Sequence, residues 1–200
     1  MDRKMKKSET TKERIVTCAL KLIGQKGFNA TPVREIVAEA GCAKGTFYLY
    51  FETKMDLLKH FAIQLFDSFN RMFQAELSEL EDDPFAQIDR LFDRLYATMK
   101  ESEGHLRLLH NGEILNLVLE QNFGRPYLEA IIGQLAGFLQ AGIDGGYFRP
   151  VDPQFYARIL FGIGHALLES ALLHAYPGTT ETVKKELAVI IRRILAQPKE

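Results

Sequence analysis

The sequence predicts an all-α fold of about nine helices. Apolar residues recur at helical spacing along almost all of the 200 residues, and alternating runs typical of strands are absent. Ile15, Ala19, Leu22 and Ile23, for example, fall on one face of a first helix. Gly, Pro and Asp residues mark the boundaries between successive helices, as at Asp83-Pro84 and at Pro177-Gly178.

The first third of the chain contains the shortest predicted helices. Residues 1–8 are polar and Lys-rich and are expected to be disordered, with Thr10 or Thr11 capping helix one. Thr31 followed by Pro32 predicts the cap and first residue of helix two, which Gly41 ends. Helix three is predicted over about 43–50, and a longer helix follows from a cap at Thr53 to about residue 80.

The remaining helices begin at recognisable caps. Asp83-Pro84 predicts a helix to about residue 102, and helical patterns continue over 105–122 and 126–142. Asp152-Pro153 opens a long helix to about residue 176. Thr179 or Thr180 caps a last helix that ends near residue 196.

Charge is distributed unevenly. Residues 1–60 hold 12 Lys and Arg against 7 Asp and Glu, whereas residues 61–200 hold 13 against 19, within a total net charge of −1. A basic head on an acidic body indicates an anionic partner for the head. The sequence has only two cysteines, no secretory signal and no apolar run long enough to span a membrane. We therefore expect a cytoplasmic protein that does not enter a membrane.

The basic head contains a pattern typical of a helix-turn-helix. Helices two and three are joined by only a few residues around Gly41, and Phe47 and Phe51 lie four residues apart, so they are expected to pack inward. The other face of helix three then carries groups that suit DNA: cationic, hydroxyl and phenol side chains and a glycine that allows close approach. From spacing alone, a surface helix with solvated lysines fits equally well.

The residues of this region resemble a known family. The stretch from Thr31 to Phe51, TPVREIVAEAGCAKGTFYLYF, resembles the N-terminal DNA-binding signature of the TetR family of bacterial transcriptional regulators. Residues 52–58 resemble its continuation into helix four, and Gly27-Phe28 its exit from helix one. The resemblance covers about residues 10–60. Cys42-Ala43 departs from the Val-Ser pair common in the family, so Ala43 is not expected to contact phosphate, and Cys42 is expected to pack as a small apolar residue.

The resemblance implies a helix-turn-helix DNA-binding domain over residues 1–54, with the motif at about 33–52, and a helical effector-binding and dimerisation domain over 55–200. It implies a double-stranded DNA operator as partner. The residues expected to face DNA are Lys44, Gly45, Thr46, Tyr48 and Tyr50, with Thr31 and Lys54 on phosphates.

The last two helices carry apolar stripes that are expected to pair in a homodimer, as a bundle across a two-fold axis. The alternative is that the stripes pack only within their own subunit. The interface residues expected are Phe155, Ile159, Ile163, Leu167, Leu187, Ile190, Ile191 and Ile194.

Polar and aromatic residues on otherwise apolar segments are candidates for an effector pocket. They are Tyr96, His110, Asn111, Asn116, Phe123, Tyr127, His165 and Glu169. His165 and Glu169, four residues apart, could bind a metal or each other. Because no third ligand stands at a recognisable spacing, the sequence predicts neither metal nor cofactor.

The predicted function is a dimeric repressor that a small, apolar effector releases from a palindromic operator. One alternative is a DNA-binding protein of the same fold that organises chromosomes or controls division. An enzyme is disfavoured, because the sequence contains neither a Gly-x-Ser-x-Gly elbow nor a His-Glu-x-x-His motif.

Overall fold

A computed structural model describes residues 2–103, 106, 122, 124–174 and 179–198. Within these residues all regular structure is helical apart from one isolated bridge, between Phe148 and Ala196. The eight helices are α1 (Asp2–Lys26), α2 (Val33–Glu39), α3 (Lys44–Tyr48), α4 (Lys54–Leu77), α5 (Pro84–Glu101), α6 (Arg125–Asp144), α7 (Pro153–His174) and α8 (Thr180–Leu195). The all-α prediction is confirmed; the helix predicted over 105–122 lies almost entirely outside the described residues.

Backbone contacts divide the described chain into two units, one holding residues 2–65, 106, 122 and 124 and the other residues 66–103, 125–174 and 179–198. In the first unit α1 packs on α2, and α2 on α3. The core there is aliphatic and aromatic, with Ile15, Ala19, Ile36, Phe47 and Leu57 fully buried. The predicted domain boundary at residue 54 coincides with the start of α4, whose first half belongs to the same unit as α1–α3.

Two helix starts differ from the sequence prediction. The α1 helix begins at Asp2 rather than at Thr10 or Thr11, because the Lys, Met and Glu residues ahead of those threonines are themselves good helix formers. The α2 helix has Pro32 as its N-cap and no side-chain cap. Thr31 does not cap it: its hydroxyl is turned to the loop before α2, where it donates to the Gly27 carbonyl oxygen at 2.7 Å.

Gly41 ends α2 as predicted, with a φ of +62° that L side chains rarely adopt. Thr53 starts α4 as predicted, in a reciprocal capping box. Its hydroxyl accepts from the Asp56 amide at 3.1 Å, while the Asp56 carboxylate accepts from the Thr53 amide at 3.0 Å.

The second unit is built from the end of α4 and from α5–α8. Asp83, Asp152 and Thr179 each accept hydrogen bonds from backbone amides at the starts of α5, α7 and α8, as predicted. Gln87 of α5, which is 1% exposed, donates to the carbonyl oxygens of Glu76 and Glu79. It therefore satisfies orphan carbonyls where α4 ends.

Candidate DNA-binding face and ligand cavity

The short α3 helix is held by aromatic packing on its inner face. Phe47 is fully buried, its ring centroid is 5.6 Å from that of Phe51, and Phe51 is a further 5.6 Å from His60 of α4. Burial lowers the pKa of His60 below its usual value, and the nearby Lys12 ammonium lowers it further. This packing fixes which side of α3 faces outward.

Ion pairs hold α2 against α1. The Lys21 ammonium lies 2.6 Å from the Glu39 carboxylate and lowers its pKa, and Lys26 pairs with Glu35. Both carboxylates of α2 are therefore engaged by lysines of α1. Arg34 of α2 and Lys44 of α3 are exposed, so each presents a cationic group to solvent.

The outward face of α3 carries four exposed residues. Lys44 and Tyr48 lie one turn apart, with the ammonium 5.9 Å from the ring centroid, and Tyr48 is 49% exposed. A Cβ atom added at Gly45 would meet nothing within 4 Å, so this part of the face is open. Leu49 is 80% exposed. Thr46 and Tyr50, also predicted to face DNA, are partly exposed.

Sequence reasoning missed Leu49. Its apolar character suggests burial, but the position gives the signal: it lies four residues after Gly45 and two after the buried Phe47. A large aliphatic side chain this exposed next to cationic and phenolic groups is suited to the methyl group of thymine in the major groove.

Thr31 and Lys54, the two residues predicted to contact phosphate, make their contacts within the protein in this structure. Thr31 is fully buried. The Lys54 ammonium donates to the carbonyl oxygens of Phe28 and, at 2.8 Å, of Thr31, and it lies 4.2 Å from the centre of the Phe28 ring. In this structure both side chains tie together the loop between α1 and α2.

Cys18 and Cys42 are free thiols, each partly buried. Burial raises the pKa of the Cys18 thiol, and Glu39 raises it further. A raised pKa disfavours the reactive thiolate.

The second unit contains an apolar cavity of about 40 Å³. Residues of α4–α8 line it, and all but His165 and Gly164 are apolar side chains. A Cβ atom at Gly164 would stand 3.0 Å from the Phe92 ring, so the glycine gives that ring its space. His165 stacks on Phe161 with ring centroids 5.5 Å apart, and its Nδ1 lies 3.4 Å from the Glu169 carboxylate.

The other pocket candidates lie elsewhere. Tyr127 stacks on Phe66, and its carbonyl oxygen accepts from Asn70. Tyr96 lies 5.7 Å from the Lys184 ammonium and does not line this cavity. His110, Asn111, Asn116 and Phe123 lie outside the described residues.

The residues predicted for the dimer interface fall into two groups. Phe155 and Ile190 are 59% and 38% exposed, and next to Ile190 on α8 Val189 is 43% exposed. Leu187 and Ile191 are buried within the subunit, and Ile191 lines the cavity. The other four predicted residues are half-buried: Ile159, Ile163, Leu167 and Ile194.

Within the described ranges no three metal-ligating side chains come together. None of the described helices is long and apolar enough to cross a membrane.

Comparisons with known proteins agree with this arrangement. Residues 15–61 match the family model of bacterial regulatory proteins of the TetR family. The chain is 25% identical over 193 residues to the HTH-type transcriptional regulator YvdT of Bacillus subtilis, covering 92% of this chain and 94% of the relative. It is 26% identical over 196 residues to the HTH-type transcriptional repressor KstR2 of Rhodococcus jostii, covering 92% and 90%.

Among solved structures the fold resembles that of SmeT, the repressor of the Stenotrophomonas maltophilia multidrug efflux pump SmeDEF. Against the SmeT–triclosan complex the TM-score is 0.76 at 17% identity, covering 94% of this chain and 92% of SmeT.

The helix-turn-helix and the exposed face of α3 define a DNA-binding transcriptional regulator. Residues 15–61 match the family model of the TetR family of bacterial regulatory proteins, which confirms the resemblance found in that part of the sequence.

Proposed function

We propose that the protein is a cytoplasmic homodimeric repressor that binds a palindromic operator and releases it when a small, largely apolar effector occupies the second unit. The observation that carries the DNA half of this proposal is the outward face of α3. Lys44, Gly45, Tyr48 and Leu49 are exposed there because Phe47 anchors the opposite face. Thr46 and Tyr50 complete the proposed contact set.

DNA binding is tested with an operator selected from genomic DNA. Lys44→Ala and Tyr48→Ala should each weaken affinity about tenfold or more, because each removes a contact from the duplex. Lys100→Ala, which removes one exposed positive charge from α5, is the matched control and should leave affinity unchanged. Wild-type affinity in both α3 variants would refute this contact face.

A dimer is proposed because a single recognition helix reads few bases, and two-fold symmetry doubles the site. The exposed apolar residues Phe155, Val189 and Ile190 support α7 and α8 as the interface. Phe155→Glu and Ile190→Glu should convert dimer to monomer in sedimentation velocity. Leu128→Glu on α6, at a residue that is also 39% exposed, is the control. A monomeric wild-type protein would contradict the proposal.

Effector release is supported by the apolar cavity and by the continuity of α4. This helix starts beside the α1–α2 loop at Lys54 and ends at Leu77, four residues after Phe73 of the cavity lining. An effector that binds one position of α4 better than another shifts the population of DNA-binding-competent dimers. By analogy, the triclosan complex of SmeT supports a small-molecule effector, and the repressor KstR2 supports repression.

A further inference from the structure

Two hollows of the second unit share one wall. The apolar cavity described above is small, at about 40 Å³. A second hollow of about 290 Å³ lies between the end of α4 and the middle of α6. Phe138 of α6 lines both, and it is only 4% exposed. Its ring packs on Phe148 at a centroid distance of 5.7 Å. We call the second hollow the α4–α6 groove.

The α4–α6 groove is more polar than the cavity. Gln74 and Ser78 of α4 and Gln134 of α6 contribute to its lining, beside Gly137 and Phe138. The Gln134 Oε1 atom is buried, and no partner for it is found within the described residues. A buried carbonyl oxygen without a partner is unfavourable, so a ligand that donates to it gains a hydrogen bond without displacing one from the protein.

The sizes of the two hollows indicate how a ligand would use them. The cavity alone has room for only about three or four water molecules, since one water needs about 10–15 Å³ by this measure. The groove and cavity together reach the lower end of the roughly 300–1,000 Å³ typical of ligand pockets. Rotation of the Phe138 ring would join them, because the ring is the wall they have in common.

We infer that the effector is an amphipathic small molecule with one hydrogen-bond donor, a hydroxyl or an N–H group, and an apolar body. The donor binds Gln134 Oε1 in the α4–α6 groove. The apolar body displaces the Phe138 ring and extends into the cavity. This inference rests on the proposed effector response, and it names the ligand class and the residue that anchors it.

The test uses two probes of nearly the same shape: 2-naphthol, which donates a hydrogen bond, and 2-methoxynaphthalene, which does not. Equilibrium dialysis against the 200-residue protein measures both affinities. We expect 2-naphthol to bind at least tenfold more tightly to the wild type. Gln134→Met should reduce 2-naphthol to the affinity of the ether and leave the ether unchanged.

Two glycines of α6 offer a matched pair for blocking the groove. A Cβ atom meets nothing within 4 Å at either Gly137 or Gly133, but only Gly137 is among the residues that line the groove. Gly137→Leu should abolish binding of both probes, and Gly133→Leu should leave both unchanged. Circular dichroism of each variant confirms that it folds.

Several outcomes would overturn the inference: equal affinity of the wild type for the two probes, no binding of either, or unchanged binding by Gly137→Leu. These outcomes are separable from failure of the proposed function. A protein that selects an operator but does not bind 2-naphthol refutes the ligand class alone. A protein that binds 2-naphthol through Gln134 but selects no operator refutes the repressor proposal alone.

Discussion

Replacing Lys54 with Met separates a structural role from a phosphate contact. The ammonium donates to the carbonyl oxygens of Phe28 and Thr31 and lies 4.2 Å from the centre of the Phe28 ring. Methionine keeps much of the side-chain length and loses all three interactions. If Lys54 fastens the α1–α2 loop, its loss should loosen the whole first unit.

The expected cost follows from these contacts. Hydrogen bonds from a charged donor contribute about 1.5–3 kcal/mol each when buried, and an exposed cation–π contact about 0.5–1 kcal/mol. Because Lys54 is only half-buried, water can replace part of what is lost. We therefore expect the first unit to lose about 2 kcal/mol of stability, which is roughly a thirtyfold increase in its opening equilibrium.

Hydrogen exchange followed by mass spectrometry measures the amide exchange rates of the first unit separately from those of the second. Amides of α1 and α2 should exchange faster in Lys54→Met, and those of α7 and α8 should not change. Lys44→Met is the control, because it also removes one charge from the head but breaks no loop hydrogen bond. Unchanged exchange in Lys54→Met together with weakened DNA affinity would refute the structural role and favour the phosphate contact.

Three further predictions follow from single side chains. Gln87→Leu should cost the second unit about 2–3 kcal/mol in urea unfolding, because it leaves two carbonyl oxygens at the end of α4 unpaired; a loss below 0.5 kcal/mol would contradict this role. Because the pKa of His60 is lowered in the folded protein, the unfolded chain takes up the proton first as the pH falls. The free energy of unfolding should therefore decrease as the pH drops below about 6.5, and His60→Gln should flatten this pH dependence of stability. Replacing thymine with uracil at an operator base beside Leu49 should weaken wild-type binding about fourfold, the value of one methyl group. Leu49→Ala should be insensitive to that change, and equal sensitivity in both proteins would exclude the contact.

The sequence predicted most of the helical framework because the relevant signals are local. Asp83, Asp152 and Thr179 cap helices through amides two or three residues away, and Gly41 supplies a positive φ at the turn. The Thr53 cap is of the same kind. Such signals survive without knowledge of the tertiary structure.

Contacts that depend on the loop conformation, or on residues far apart in the chain, were not predicted. The cap predicted at Thr31 is wrong: Pro32 is the N-cap of α2, and the Thr31 hydroxyl donates to the Gly27 carbonyl oxygen in the preceding loop. Lys54 lies 26 residues from Phe28 in sequence, so its place in the loop is not visible in either segment. Leu187, Ile190, Ile191 and Ile194 of α8 are all predicted for the interface, although within the subunit Leu187 and Ile191 are buried and Ile190 is exposed.

The most direct test of the account is selection of fragmented genomic DNA on the purified wild-type protein at fixed, near-physiological salt, followed by sequencing. Salt must be fixed because phosphate contacts make affinity strongly salt-dependent. We expect enrichment of one or a few palindromes whose half-sites lie about one helical turn, or a multiple of it, apart. Lys44→Ala should lose that enrichment and Lys100→Ala should keep it. Many scattered sites without a palindrome, or the same enrichment with Lys44→Ala, would contradict a dimeric repressor that reads DNA through α3.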